Sequence, residues 1–325
     1  MSKQALDRKL EALDAVRQAG REEAVRLLGK ALGDRNNYYV SKAAALTAGL
    51  SLSELAPDLV AAFDRFLKDA AKSDPQCWAK NAIVKALKDL EHWETEVFLR
   101  GIVHVQPEPV WGGAADSAAT LRGACALALV DCRLPDLEIL RHLVDRLADA
   151  EKSVRIDAAV AIAQLGAPEG ALVLRLKALT GDLDPAMVGQ CFDSLLQLAP
   201  GEGVKFVAGF LERDDEEVRI EAGCVLAQSR EPEALAVVRG EWDKRLPPQM
   251  RTVIALSLGA SPLREAAEFL VSLVRNGPVD VAAAAVRGLA GSRFRQDFRE
   301  DVEEAVQARG EARMREEYAK GFREG

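Results

Sequence analysis

At 325 residues the chain is longer than one compact hydrophobic core usually organises, about 250–300 residues, so two domains or a repeat array is expected. Hydrophobic residues make up 49% of it but aromatics only 5%, so the apolar surface is mostly Ala, Leu and Val, which favours helix packed closely on helix. A formal net charge of −8 repels polyanions at long range and disfavours nucleic acid as a partner.

The first ten residues mix charge with apolar positions at helical spacing and lack the apolar run of a signal peptide. No stretch approaches the roughly 18–20 apolar residues that span a bilayer, so a cytoplasmic protein without membrane contact is expected. Leu6, Leu10, Leu13 and Val16 form one apolar stripe, which reads as an N-terminal capping helix over residues 1–19.

From residue 20 to 292 a repeat dominates. Val154, Ala158, Ile162 and Leu165 form one helix face, and Val218, Ala222 and Leu226 stand at the same offsets in another helix. With Val154 as anchor, equivalents are Val40, Ala79, Leu121, Met187, Val218, Met250 and Val281, at intervals of 39, 42, 33, 33, 31, 32 and 31 residues. Such a period holds two helices of about 12 residues and two short turns. Apolar-striped segments precede the anchors, as at 57–68, 136–147, 203–211, 234–242 and 264–274, and Pro or Gly often opens them. Phe294, Phe298, Val302 and Val306 then predict a C-terminal cap over 293–325, ending in a charge-rich tail from Gly310 that is expected to fray. The expectation is an all-α, α-α superhelix of about eight helix pairs with a cap at each end, one continuous solenoid over residues 1–325.

These units resemble HEAT repeats, including the short form seen in phycobilisome lyases. The resemblance rests on an Asp in the inter-helix turn followed six residues later by a basic residue: Asp74 and Lys80, Asp116 and Arg122, Asp149 and Arg155. Arg219 and Arg251 keep the base without the acid at that offset, and Asp182 keeps the acid but faces Val188. In the family these side chains pair along the stack, which implies a ladder of partly exposed ion pairs that fix register more than they add energy. The resemblance is specific for fold and silent on function.

Chemistry is sparse. Cys77, Cys125, Cys132, Cys191 and Cys224 are an odd count without a Cys-x-x-Cys pair, which argues against disulfides and zinc and for buried, inert thiols. His92, His104 and His142 are followed by Trp, Val and Leu, so the His-Glu dyads of HEAT-like di-iron hydroxylases are missing. Neither a phosphate loop nor a dinucleotide fingerprint occurs. No metal or cofactor is expected, and no enzyme.

Binding surfaces remain. In HEAT architecture the second helices face the concave side, which here runs from Lys42, Asn81 and Lys85 to Arg287 with an acidic and amide-rich middle of Asp131, Asp157, Gln164, Gln190, Asp193 and Glu221, the opposite of what phosphate contacts require. The stretch from His104 to Ala118 interrupts the rhythm with two prolines, two glycines and Trp111. A non-helical loop is expected there, with Glu108 and Trp111 as candidate contacts, unless Trp111 folds back as a plug. Tyr38, Trp78 and Trp111 fall where an aromatic edge could form, with Tyr39 buried beside it. The expected function is a non-catalytic scaffold holding a peptide or helix, basic or polar, of a partner protein. An accessory subunit that resembles phycobilin lyases and binds a small planar ligand is the alternative.

Overall fold

The computed structural model describes residues 3–93, 95–244 and 246–322. They form two compact units, Met1–Ala167 and Pro168–Gly325. Apart from one short hairpin the described residues are helices joined by tight turns, the all-α repeat of helix pairs that the period implies.

In the first unit α1 (Lys3–Ala15) precedes the pairs α2 (Arg21–Leu32) with α3 (Asn37–Gly49), and α4 (Ala56–Leu67) with α6 (Trp78–Asp89), a single turn α5 (Ala70–Ser73) lying between the latter two. The third pair is α7 (Thr95–Ile102) with α8 (Ala119–Leu129), and the strands β1 (Pro107–Val110) and β2 (Gly113–Asp116) separate its members. The fourth is α9 (Asp136–Arg146) with α10 (Lys152–Leu165). In the second unit the pairs are α11 (Glu169–Thr180) with α12 (Pro185–Leu198), α13 (Pro200–Ala208) with α14 (Glu216–Gln228), α15 (Pro232–Glu241) with α16 (Pro248–Leu258), and α17 (Arg264–Asn276) with α18 (Val279–Gly291). They are followed by α19 (Arg299–Arg309) and α20 (Ala312–Phe322).

The second helix of each pair stacks on the second helix of the next: α3 on α6, α6 on α8 and α8 on α10 in one unit, and α12 through α14 and α16 to α18 in the other. Their composition explains the closeness. Ala43, Ala44, Ala126, Ala158, Ala159 and the run Ala282–Ala285 are all buried, so backbones meet with little between them. At the tightest crossing a Cβ on Gly259 would lie 2.2 Å from the Gly288 carbonyl oxygen, so only glycine fits there. Side-chain caps fix several starts: Asn36, Asp184 and Asp215 accept from the N–H groups of Tyr39, Ala186 and Val218.

Two end features depart from expectation. The N-terminal stripe is only half covered, with Leu13 and Val16 buried and Leu6 and Leu10 partly exposed. The tail expected to fray is helical through Phe322: Met314 and Phe322 are buried, Tyr318 stacks on Phe322 at 5.0 Å, and α20 packs on α18 as a further second helix would. Met314, Tyr318 and Phe322 stand at i, i+4 and i+8, a stripe short enough to be masked by the surrounding charge. Residues 323–325 of that tail lie outside the described ones.

Candidate functional site: a groove across the second helices of the first unit

The turns that position the site are held by ion pairs that are buried, not partly exposed as expected. Asp74 and Lys80 pair at 2.9 Å with both side chains fully covered, and Asp74 also accepts from the backbone N–H groups of Ala79 and Lys80 and from Asn37 of the preceding pair. Arg122 bridges Asp116 of its own turn and Asp149 of the next, the latter with two parallel bonds of 2.9 and 2.8 Å. This is the expected ladder. Burial raises the Asp149 carboxyl pKa, but the Arg122 hydrogen bond and the Glu151 N–H more than offset that and hold it below the usual carboxylate range. Asp116 is held down against burial in the same way, by the N–H groups of Gln106 and Ala118 and then by Arg122. Arg155 turns instead to the carbonyl oxygens of Asp149 and Ala150.

The interruption between α7 and α8 is an antiparallel hairpin with Pro107 opposite Asp116 and Val110 opposite Gly113. Ser117 N–H donates to the Gln106 carbonyl, so by alternation Glu108 and Val110 face β2 with their backbone groups, while Pro107 and Pro109 face out. The outer edge of β1 therefore lacks donors at both prolines, which discourages further strand pairing. Gly112, at φ +91°, takes the left-handed position of the turn.

Glu108 is half-buried, with its carboxylate turned back onto the protein. Its Oε1 accepts from Gln76 N–H (2.7 Å), Gln106 Nε2 (2.7 Å) and Ser117 Oγ (2.6 Å). Gln106 Nε2 also donates to the Asp74 carbonyl at 2.8 Å. These bonds clamp Gln76 and Cys77, both non-glycine residues with positive φ, +60° and +58°, conformations that cost about 1–3 kcal/mol each unless the surroundings enforce them. The next residue is Trp78, the first of α6. The hairpin base thus fixes the turn that aims this indole.

Trp78 is 44% exposed and meets the Tyr38 ring at 5.4 Å and 59°. Both line a groove of about 590 Å³ crossing α3, α6 and α8. Its floor is Ala45, Ala82, Ala124 and Leu127, one small side chain from each of the three helices and a leucine from the last. Lys42, Lys85 and Lys88 stand exposed on its rim. Lys42 Nζ lies 5.2 Å from the centre of the Tyr38 ring, a cation–π distance, and Lys85 reaches Asp89 at 3.8 Å. Asn81 also lines the groove, and its Oδ1 is buried without a hydrogen-bond partner, a state that costs about 1–3 kcal/mol.

Of the expected aromatic edge, Tyr38 and Trp78 are brought together, whereas Trp111 stands fully exposed at the hairpin tip and plugs nothing. Tyr39 is half-buried rather than buried, under Lys9. The acidic and amide residues divide between the units. In the first, Asp131 is exposed in the turn after α8, Gln164 is exposed near the end of α10, and Asp157 is half-buried. Asp157 leans over Gly123, where an added Cβ would lie 1.9 Å from its Oδ2, and burial pushes its pKa up. In the second unit Glu221 leans over Gly189 in the same way, while Asp193 accepts from Gln190 and Gln197 along its own helix.

Among the described residues no cysteine, histidine or carboxylate lines this groove. Cys77, Cys125, Cys132 and Cys191 are buried and Cys224 partly so, and burial pushes the thiols of Cys77 and Cys191 up to about 12, far from nucleophilic at neutral pH. Among the described residues no three of His, Cys, Asp or Glu cluster to hold a metal, and no helix is long and apolar enough to cross a membrane.

No family model matches this sequence, and no curated protein matches it. Among solved structures, an engineered protein is similar at 17% identity over 96% of this chain and 90% of its own, with a TM-score of 0.38. The complex of CpcE and CpcF of phycocyanin lyase from Nostoc sp. PCC7120 is similar at 16% identity over 86% of this chain and 94% of that one, with a TM-score of 0.36. Likenesses this distant leave the function to be argued from the groove itself.

Proposed function

We propose that this chain is a non-catalytic, HEAT-like scaffold that holds an amphipathic helix or peptide of a partner protein in the first unit's groove. The observation that carries the reading is the groove's construction: an alanine floor that admits a backbone closely, an aromatic wall of Tyr38 and Trp78, and lysines on the rim. That is the form of a helix-in-groove site, in which apolar anchors enter and flanking charge sets orientation. The lysine rim selects an apolar segment with acidic flanks, so the partner's sign is reversed from the basic segment that Asp131, Asp157, Gln164, Gln190, Asp193 and Glu221 suggest in sequence. Trp111, exposed at the hairpin tip, offers a second contact.

A small planar anion is the alternative occupant, because about 590 Å³ with aromatic walls also suits a small molecule. Affinity purification with wild type and with the double variant Trp78→Ala, Lys88→Glu, followed by titration of the captured protein, distinguishes them. A partner retained by wild type and weakened tenfold or more by the variant is expected, since a central Trp commonly contributes about 2 kcal/mol. A partner bound equally by both overturns the groove. Capture of no protein, with Trp fluorescence quenched by added planar carboxylates, favours the small ligand.

A further inference from the structure

A second surface, in the other unit, calls for a different partner. Helix α11 is apolar on two sides. Gly170, Leu174 and Ala178 are buried, the i, i+4, i+8 stripe that seats the helix on α12. On the opposite side Leu172, Leu176 and Leu179 are 70%, 62% and 53% exposed, and Leu183 in the following turn is 102% exposed. The first helix α17, by contrast, turns Arg264, Glu265, Glu268 and Arg275 to solvent. A helix apolar all round belongs in an interior, and contiguous exposed leucines mark a contact surface.

We propose that this leucine face is the interface of a homodimer, a second copy of the chain being its occupant. Three properties select a copy over a charged partner. The cations nearest the face are turned into their own unit: the Arg175 guanidinium lies 4.3 Å from the centre of the Phe206 ring, and Lys177 pairs with Asp182 at 2.8 Å. The charge left exposed on α11 is Glu169 in its first turn, at one end of the face, so two copies crossing antiparallel about a two-fold axis keep these carboxylates apart although each chain carries −8. Leu172, Leu176 and Leu179 are spaced four and three residues apart, the seam spacing of helices that interdigitate, with Leu183 extending the face from the turn, and an identical seam related by a two-fold axis is complementary to it. With their flanking residues they offer roughly 500 Å² per copy, so a dimer buries about 1,000 Å², the lower end of specific interfaces and consistent with a dimer that dissociates on dilution.

Sedimentation velocity from about 1 to 100 μM tests this on the full chain, with wild type and with Leu172→Glu, Leu176→Glu. Wild type is expected to pass from monomer to dimer across that range. The variant is expected to remain monomeric with its helical circular dichroism intact, because both side chains are exposed in the monomer. A wild type that stays monomeric at 100 μM overturns the proposal, and so does a variant that dimerises as wild type does. Leu176→Cys, treated with a short bis-maleimide, keeps the test independent of the glutamates. It is expected to crosslink copies at least tenfold faster than Trp111→Cys, and equal rates overturn the assignment of this face.

Discussion

The turns of the two units solve one problem in two ways. In the first unit the acid and the base six residues later are in register, and Asp74 with Lys80, and Asp116 with Arg122 and Asp149, become buried pairs whose remaining valences are filled by backbone groups. In the second unit the register is lost: Asp182 and Arg251 find other partners, and the buried Nε of Arg219 makes no hydrogen bond. Asp182 takes Lys177 from the end of α11, and Arg251 caps the Leu246 carbonyl and reaches an exposed Asp243 at 3.4 Å. How deeply the base is buried follows where its partner sits: Lys80 and Arg122, in register, are 0% and 2% exposed, whereas Lys177 and Arg251 are 19% and 22% exposed. The largest effect is expected where burial is deepest. Arg122→Leu strands two carboxylates and should destabilise by about 3–5 kcal/mol in urea unfolding, whereas Arg251→Leu, losing one backbone bond and a half-solvated pair, should cost about 1 kcal/mol. Equal losses would break the contrast.

Titration sharpens it within the first unit. Asp116 and Asp149 have folded pKa values below their unfolded ones, so their contribution is present above about pH 4 and is lost as pH falls through the folded values. Asp157, raised by burial, has the reverse sign: its folded pKa lies above the unfolded one, so stability is fully present below about pH 4 and is lost as pH rises through the folded value. Asp157→Asn should therefore raise the Tm by about 1–3 °C at pH 7 and leave it unchanged near pH 3. Asp149→Asn should lower it at pH 7, with the difference shrinking in acid. A Tm that falls on Asp157→Asn at pH 7 would mean that this carboxylate has a cation partner in solution.

The helix pairs were legible because a period of 31–33 residues with one apolar stripe per helix has few other solutions, and the Asp–Lys and Asp–Arg spacing located the turns. Burial of those pairs was not legible, since it depends on Asn37 and on the hairpin closing over the turn from elsewhere in the sequence. The loop was read as non-helical, yet the alternation of Pro107 and Pro109 with Glu108 and Val110 ahead of Gly112 and Gly113 was signal enough for two strands. The groove was half legible: Tyr38 and Trp78 were read as part of one aromatic edge, but its floor of alanines looked like ordinary helix packing. The face of α11 was hidden because Leu172, Leu174, Leu176 and Leu179 give no one-sided stripe.

The smallest expected effect lies at the hairpin, where tip and base differ as the two units do. Glu108→Ala removes an acceptor shared by three donors and loosens the strained Gln76–Cys77 turn, so it should cost about 1–3 kcal/mol. It should also shift Trp78 fluorescence, because that turn sets the indole. Trp111→Ala removes a side chain that touches nothing in the isolated chain, so stability should stay within about 0.5 kcal/mol of wild type. A loss at Trp111 comparable to that at Glu108 would place the indole against the protein in solution, as a plug. Unchanged stability with weakened partner binding would leave it a contact made only in the complex, which is the role its exposure fits.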